Sequence, residues 1–76
     1  MDNKWIKIPK EEDDCVGLVI YGKEREPYII LATLKNEDGD KVYICATDKG
    51  FYSIRRIDTY TWDTSPLSDE FRSLIV

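Results

Sequence analysis

The chain contains no histidine. That removes the commonest general base near neutral pH and the commonest metal ligand at once. Only two cysteines occur, Cys15 and Cys45, with no third ligand type beside them, so neither a zinc nor an iron–sulfur centre is expected. Their neighbours are apolar, Val16 for one and Ile44 and Ala46 for the other, which predicts small buried thiols in preference to a disulfide or a reactive site. The four glycines stand at 17, 22, 39 and 50, without the spacing of a phosphate-binding loop. Long apolar runs are missing as well: the longest, Tyr28 to Ala32, has five residues where a bilayer span needs ~20. Met1 to Ile8 runs straight into Pro9-Lys10-Glu11-Glu12-Asp13-Asp14, which does not read as an export signal, and a cytoplasmic location is expected.

What is present is a globular balance. Of 76 residues, 42% are apolar, 34% charged and 12% aromatic, enough for a single domain over 1–76 and inconsistent with a disordered tail. Eleven basic and fifteen acidic side chains leave a net charge of -4, which repels nucleic acid and anionic membranes.

The apolar pattern predicts a mainly β (α+β) fold: a four- to six-stranded antiparallel meander, either an SH3-like small barrel or a curled sheet, with strands within 5–62. Trp5 to Ile8 alternates and is stopped by Pro9, and Lys10 to Asp14 reads as an exposed polar loop. Val16 to Tyr21 is apolar on both faces and reads as an interior strand. Tyr28 to Leu34 and Lys41 to Thr47 flank Asn36-Glu37-Asp38-Gly39-Asp40, where Asp-Gly accepts a positive φ, so they form a hairpin. Asp48-Lys49-Gly50 makes a second hairpin into a strand from Phe51 that runs to Trp62, or breaks into two at Ile57-Asp58-Thr59. Ser65-Pro66 reads as the entry to a helix over 66–75, whose Leu67, Phe71, Leu74 and Ile75 make one apolar stripe. A helix so short must dock that stripe, on its own sheet or on another chain through a dimer.

Signs of catalysis are sparse. No nucleophile has a suitable base in a recognisable motif, and Asp38-Gly39-Asp40 lacks the remaining ligands of a calcium loop. No enzyme activity, cofactor or metal is therefore expected. Two binding surfaces stand out. Glu11, Glu12, Asp13 and Asp14 together with Glu37, Asp38 and Asp40 could imitate nucleic-acid phosphates and fit a protein partner with a basic surface, although solvated loops would look the same. Tyr52, Arg55, Arg56, Tyr60 and Trp62 interleave aromatic and basic residues as small barrels do when they stack single-stranded nucleic acid. The acidic net charge opposes that second use, and aromatic rings close small cores more often than they bind bases.

Trp5-Ile6-Lys7-Ile8-Pro9, Val19-Ile20-Tyr21-Gly22, and Trp62 followed by Pro66-Leu67 resemble a small phage-borne domain of unknown function. The chain departs from that pattern where Asp63-Thr64-Ser65 separates the tryptophan from Pro66-Leu67. The resemblance implies a viral or mobile-element origin, action in the host cytoplasm, and a non-enzymatic inhibitor that occludes a basic surface of a host defence protein such as a nuclease or a CRISPR-type complex. An immunity protein or assembly subunit, with its helix stripe offered to a larger fold, is the third expectation.

Overall fold

The computed structural model describes residues 4–56 and 61–75. They form a six-stranded antiparallel sheet and one short helix: β1 (Ile6–Lys7), β2 (Val19–Tyr21), β3 (Pro27–Lys35), β4 (Lys41–Thr47), β5 (Gly50–Arg56), β6 (Trp62–Pro66) and α1 (Asp69–Ile75). The spatial order is β1-β3-β4-β5-β6, with β2 also paired to β3. Thus β3 to β6 are the expected meander, and β1 and β2 share the outer edge of β3. The sheet is open and curled: among the described residues β6 pairs with β5 alone, so no barrel closes.

Residue type and turn chemistry account for the central strands. Asn36 Oδ1 accepts the amides of Asp38 and Asp40, each at 3.0 Å, and Gly39 takes φ 86°. The side chain thereby replaces backbone partners in a turn that only a left-handed residue completes. At the next turn Thr47 pairs with Gly50, whose φ of 131° is open to glycine and strained for any side chain.

A bulge decides which residues become core. Ile30 faces Cys45 and Ala32 faces Ile44, so Leu31 is an extra residue and the side-chain parity of β3 flips there. Consequently Ile30 joins Cys45 and Ile54 on one face, while Ala32 and Leu34 join Val42 and Ile44 on the other. The second of these clusters is covered by Trp5, Leu67, Phe71, Leu74 and Ile75. Trp5 meets Phe71 edge to face at 5.5 Å. The helix stripe thus packs on its own sheet, which leaves Leu67, Phe71, Leu74 and Ile75 partly buried.

Several expected boundaries move. The predicted interior strand from Val16 shrinks to the edge strand β2, because Gly17 adopts φ 91° and its amide bonds Ile30 O at 2.8 Å in a turn. Val19 and Tyr21 consequently point outward and are exposed. Strands extend past 62: Ser65 and Pro66 pair with Ser53 and Tyr52 in β6 and so cannot open a helix. Proline is tolerated on such an edge strand. The helix starts at Asp69, with Ser68 Oγ accepting the Phe71 amide at 3.3 Å. The expected corner at Ile57-Asp58-Thr59, and Tyr60, lie outside the described residues. No described helix is long and apolar enough to cross a membrane.

Candidate functional site

The acidic residues singled out from sequence do not act as one set. Lys10 to Glu12 form a 3-10 turn, and Asp13, which follows it, is 9% exposed where an exposed loop residue was expected. Its Oδ1 accepts the Thr33 hydroxyl at 3.1 Å and the Cys15 amide at 3.0 Å. Burial follows from that geometry: Thr33 sits on β3 beneath the segment, and a carboxylate there satisfies a hydroxyl and an amide that would otherwise be unpaired. Asp13 is thus a brace and is withdrawn from the surface. Asp40 is committed too, to Arg55 at 3.2 Å. Lys35 and Lys41 pair directly across the base of the same turn, which offsets its charge. Glu11, Glu12, Asp14, Glu37 and Asp38 remain exposed.

The aromatic and basic set divides by strand parity. Tyr52 pairs with Cys45 and Arg56 with Trp62, so Tyr52, Arg56 and Trp62 lie on the face of Ile30, Cys45 and Ile54. Arg55 pairs with Val42 and belongs to the opposite face. It is not part of one surface with Tyr52 and Trp62.

On that first face the curl of the sheet brings its two edges towards each other across a cleft of about 680 Å³. Ile20, Tyr28 and Ile54 floor it; Thr61, Trp62 and Thr64 make one wall, and Tyr21 with the 22–26 turn makes the other. The turn is held by Gly22 N–H to Glu26 O and Arg25 N–H to Gly22 O, both 3.0 Å, with Arg25 at φ 64°. Glu26 anchors it from within. Its Oε2 accepts the Glu24 amide at 2.9 Å and its Oε1 accepts the Tyr28 hydroxyl at 3.3 Å. Burial, and next the charge of Glu26, push the Tyr28 pKa up, so the phenol stays a neutral donor. Tyr28 also meets Tyr52 edge to face at 6.2 Å.

Trp62 carries the opposite wall. Trp62 is 48% exposed; its ring lies 6.1 Å from the Tyr43 ring and has the Arg56 guanidinium 5.8 Å from its centroid. The Tyr28 and Trp62 rings and the Glu24 and Glu26 carboxylates thus line one hollow, with Lys23 among them, while the parity of β2 turns the Tyr21 side chain to the opposite face. Rings and carboxylates both attract cations, the rings through their quadrupole and the carboxylates through charge. The described residues hold no group of three or more Cys, Asp or Glu placed to bind a metal ion.

Of the residues that line the cleft, sequence reasoning found Trp62 and missed Ile20, Tyr21, Glu24, Glu26 and Tyr28; Tyr52 and Arg56 share the face of Trp62 but do not line the cleft. The available signal was the short span between Tyr21 and Pro27: read as a hairpin, it sets Ile20 beside Tyr28 and lifts two glutamates to the rim. Comparison with protein families, with curated sequences and with solved structures finds no match.

Proposed function

We propose that the chain is a non-enzymatic binding protein that occludes a basic surface of a protein partner. The observation that carries this reading is the pairing, in one cleft, of the Tyr28 ring and the exposed Trp62 ring with the carboxylates of Glu24 and Glu26. A guanidinium or ammonium group on the partner gains from both kinds of neighbour. Glu11, Glu12, Asp14, Glu37 and Asp38 add steering, a rate effect that weakens with salt. The resemblance to a phage-borne domain supplies the setting: an inhibitor acting on a defence protein of its host.

A second reading, binding of single-stranded nucleic acid, draws on Tyr52, Arg56 and Trp62 sharing a face. Glu24 and Glu26 in the same cleft oppose it by repelling phosphates. One titration separates the two. In a Trp5→Phe background the fluorescence reports Trp62, and an arginine-rich peptide should quench it in a salt-sensitive way that Glu24→Gln/Glu26→Gln weakens. Quenching by an oligonucleotide, with the peptide silent, would replace the first reading by the second.

A further inference from the structure

One wall of the cleft is largely main chain. Gly22 has no side chain and that of Tyr21 points to the other face, so both residues line the hollow with backbone. The bonds within the sheet show which backbone groups are left over. Ile30 N–H bonds Leu18 O at 2.9 Å and Gly22 N–H bonds Glu26 O at 3.0 Å, so the bonded pairs fall at 18, 20 and 22. The N–H and C=O of Tyr21 therefore point away from β3, to the free edge of β2. On the opposite wall Leu67 N–H bonds Phe51 O at 3.2 Å, which sets the bonded pairs at 67, 65 and 63 and turns the backbone groups of Trp62 and Thr64 away from β5. Pro66 falls in the same outward set, where its missing N–H takes nothing from the ladder. Among the described residues β2 pairs with β3 alone and β6 with β5 alone.

We infer that the cleft is an open slot in the sheet, which an extended basic segment of a protein partner fills as an added strand, bonded to β2 on one side and to β6 on the other. This mode of binding rests on the cleft being a site for a basic partner, and it specifies how that partner is held. Two observations choose the occupant. Backbone groups line both walls, and alternate residues of a strand direct their N–H and C=O to opposite sides, so the occupant needs both of its own edges free. An edge strand of a second copy already spends one side on its own sheet, whereas an extended loop or tail has two to offer. Charge supplies the rest: the lining holds two carboxylates, Glu24 and Glu26, against one ammonium, Lys23, which favours a segment that carries arginine or lysine.

The test is a blocked hexapeptide alternating arginine with the strand-favouring valine, titrated against the Trp5→Phe chain with Trp62 fluorescence as the readout. The peptide should quench. N-methylation of its arginine amides alone, or of its valine amides alone, should each weaken binding about tenfold or more, since each set bonds one edge. Thr64→Pro removes one outward N–H and spares the bonds to β5, so with circular dichroism like that of wild type it should weaken the peptide and leave quenching by N-acetylarginine amide unchanged; Thr64→Val, which keeps the N–H, should bind normally. If Thr64→Pro does not fold, the methylated peptides decide on the unaltered site. Strand addition is overturned if either methylated peptide binds like its parent, or if the hexapeptide is silent where N-acetylarginine amide quenches; the cleft then stands as a cation site alone. If neither probe quenches, the reading of the cleft as a cation site fails, and strand addition with it.

Discussion

Removing the Asp13 carboxylate tests the brace between the acidic segment and the sheet. In Asp13→Ala the Thr33 hydroxyl, on a residue 2% exposed, and the Cys15 amide lose their acceptor. Each unsatisfied buried donor costs about 1–3 kcal/mol. The loss is partly offset, because Oδ2 of Asp13 is itself buried without a hydrogen-bond partner and its burial ceases to weigh on the fold. A net cost of about 2–3 kcal/mol follows. That is a large share of the roughly 4–11 kcal/mol available to a chain of this size, and it lowers Tm by about 10–20 °C. Asp13→Asn separates the causes. It keeps an acceptor for Thr33 and Cys15 while removing the charge, so it should stay within about 1 kcal/mol of wild type. Urea unfolding followed by circular dichroism, with m unchanged, measures both. In a Thr33→Val background the cost of Asp13→Ala should shrink, since the two share one hydrogen bond. The reasoning fails if Asp13→Ala unfolds within about 0.5 kcal/mol of wild type, which is the ordinary scatter of surface substitutions. It also fails if the asparagine variant is as damaging as the alanine one.

Three further outcomes are expected. Leu34→Ala empties a fully buried site in the cluster under α1 and should cost about 2–5 kcal/mol by the same urea assay. Burial pushes the Cys45 thiol from 9.0 up to about 11, so its proton is held more tightly in the fold than in the unfolded chain. Stability from that group is therefore complete below pH 9 and is lost as pH rises towards 11, with Tyr28 and Tyr43, also raised by burial first, adding to the decline above pH 10; thermal melts across this range check it, as does slow alkylation of Cys45 in native protein at pH 8 and fast alkylation in urea. Gly50→Ala meets open space yet forces a side chain into φ 131°, and should destabilise by about 1–3 kcal/mol, whereas Arg25→Gly, at φ 64°, should be neutral or stabilise by up to about 1 kcal/mol in melts.

Much of the architecture is legible in the chain because its cause is local. Asp38-Gly39 and Lys49-Gly50 mark turns by their backbone freedom, and the β-branched and aromatic runs between them become β3, β4 and β5 within a residue or so of their expected limits. The parity of β5 is equally local, so Tyr52, Ile54 and Arg56 share a face as alternation requires. Pairing is not local. Ser65-Pro66 has the residues of a helix entry, yet β5 offered a free edge and the chain took the strand. Gly17 breaks an apolar run by bonding Ile30, a partner thirteen residues away.

The functional surfaces divide in the same way. Composition alone determined that the protein carries an acidic charge, no imidazole and two isolated thiols, since those properties belong to residues wherever they end up. Only the tertiary structure decided which charges face water and which groups meet: Thr33 drew Asp13 inward, Arg55 paired with Asp40 at the surface, and the curl of the sheet carried Trp62 across from Glu24 and Glu26. Burial and proximity depend on which strands pair and where β3 bulges, and those are set by contacts between distant parts of the chain, which no short window of residues contains.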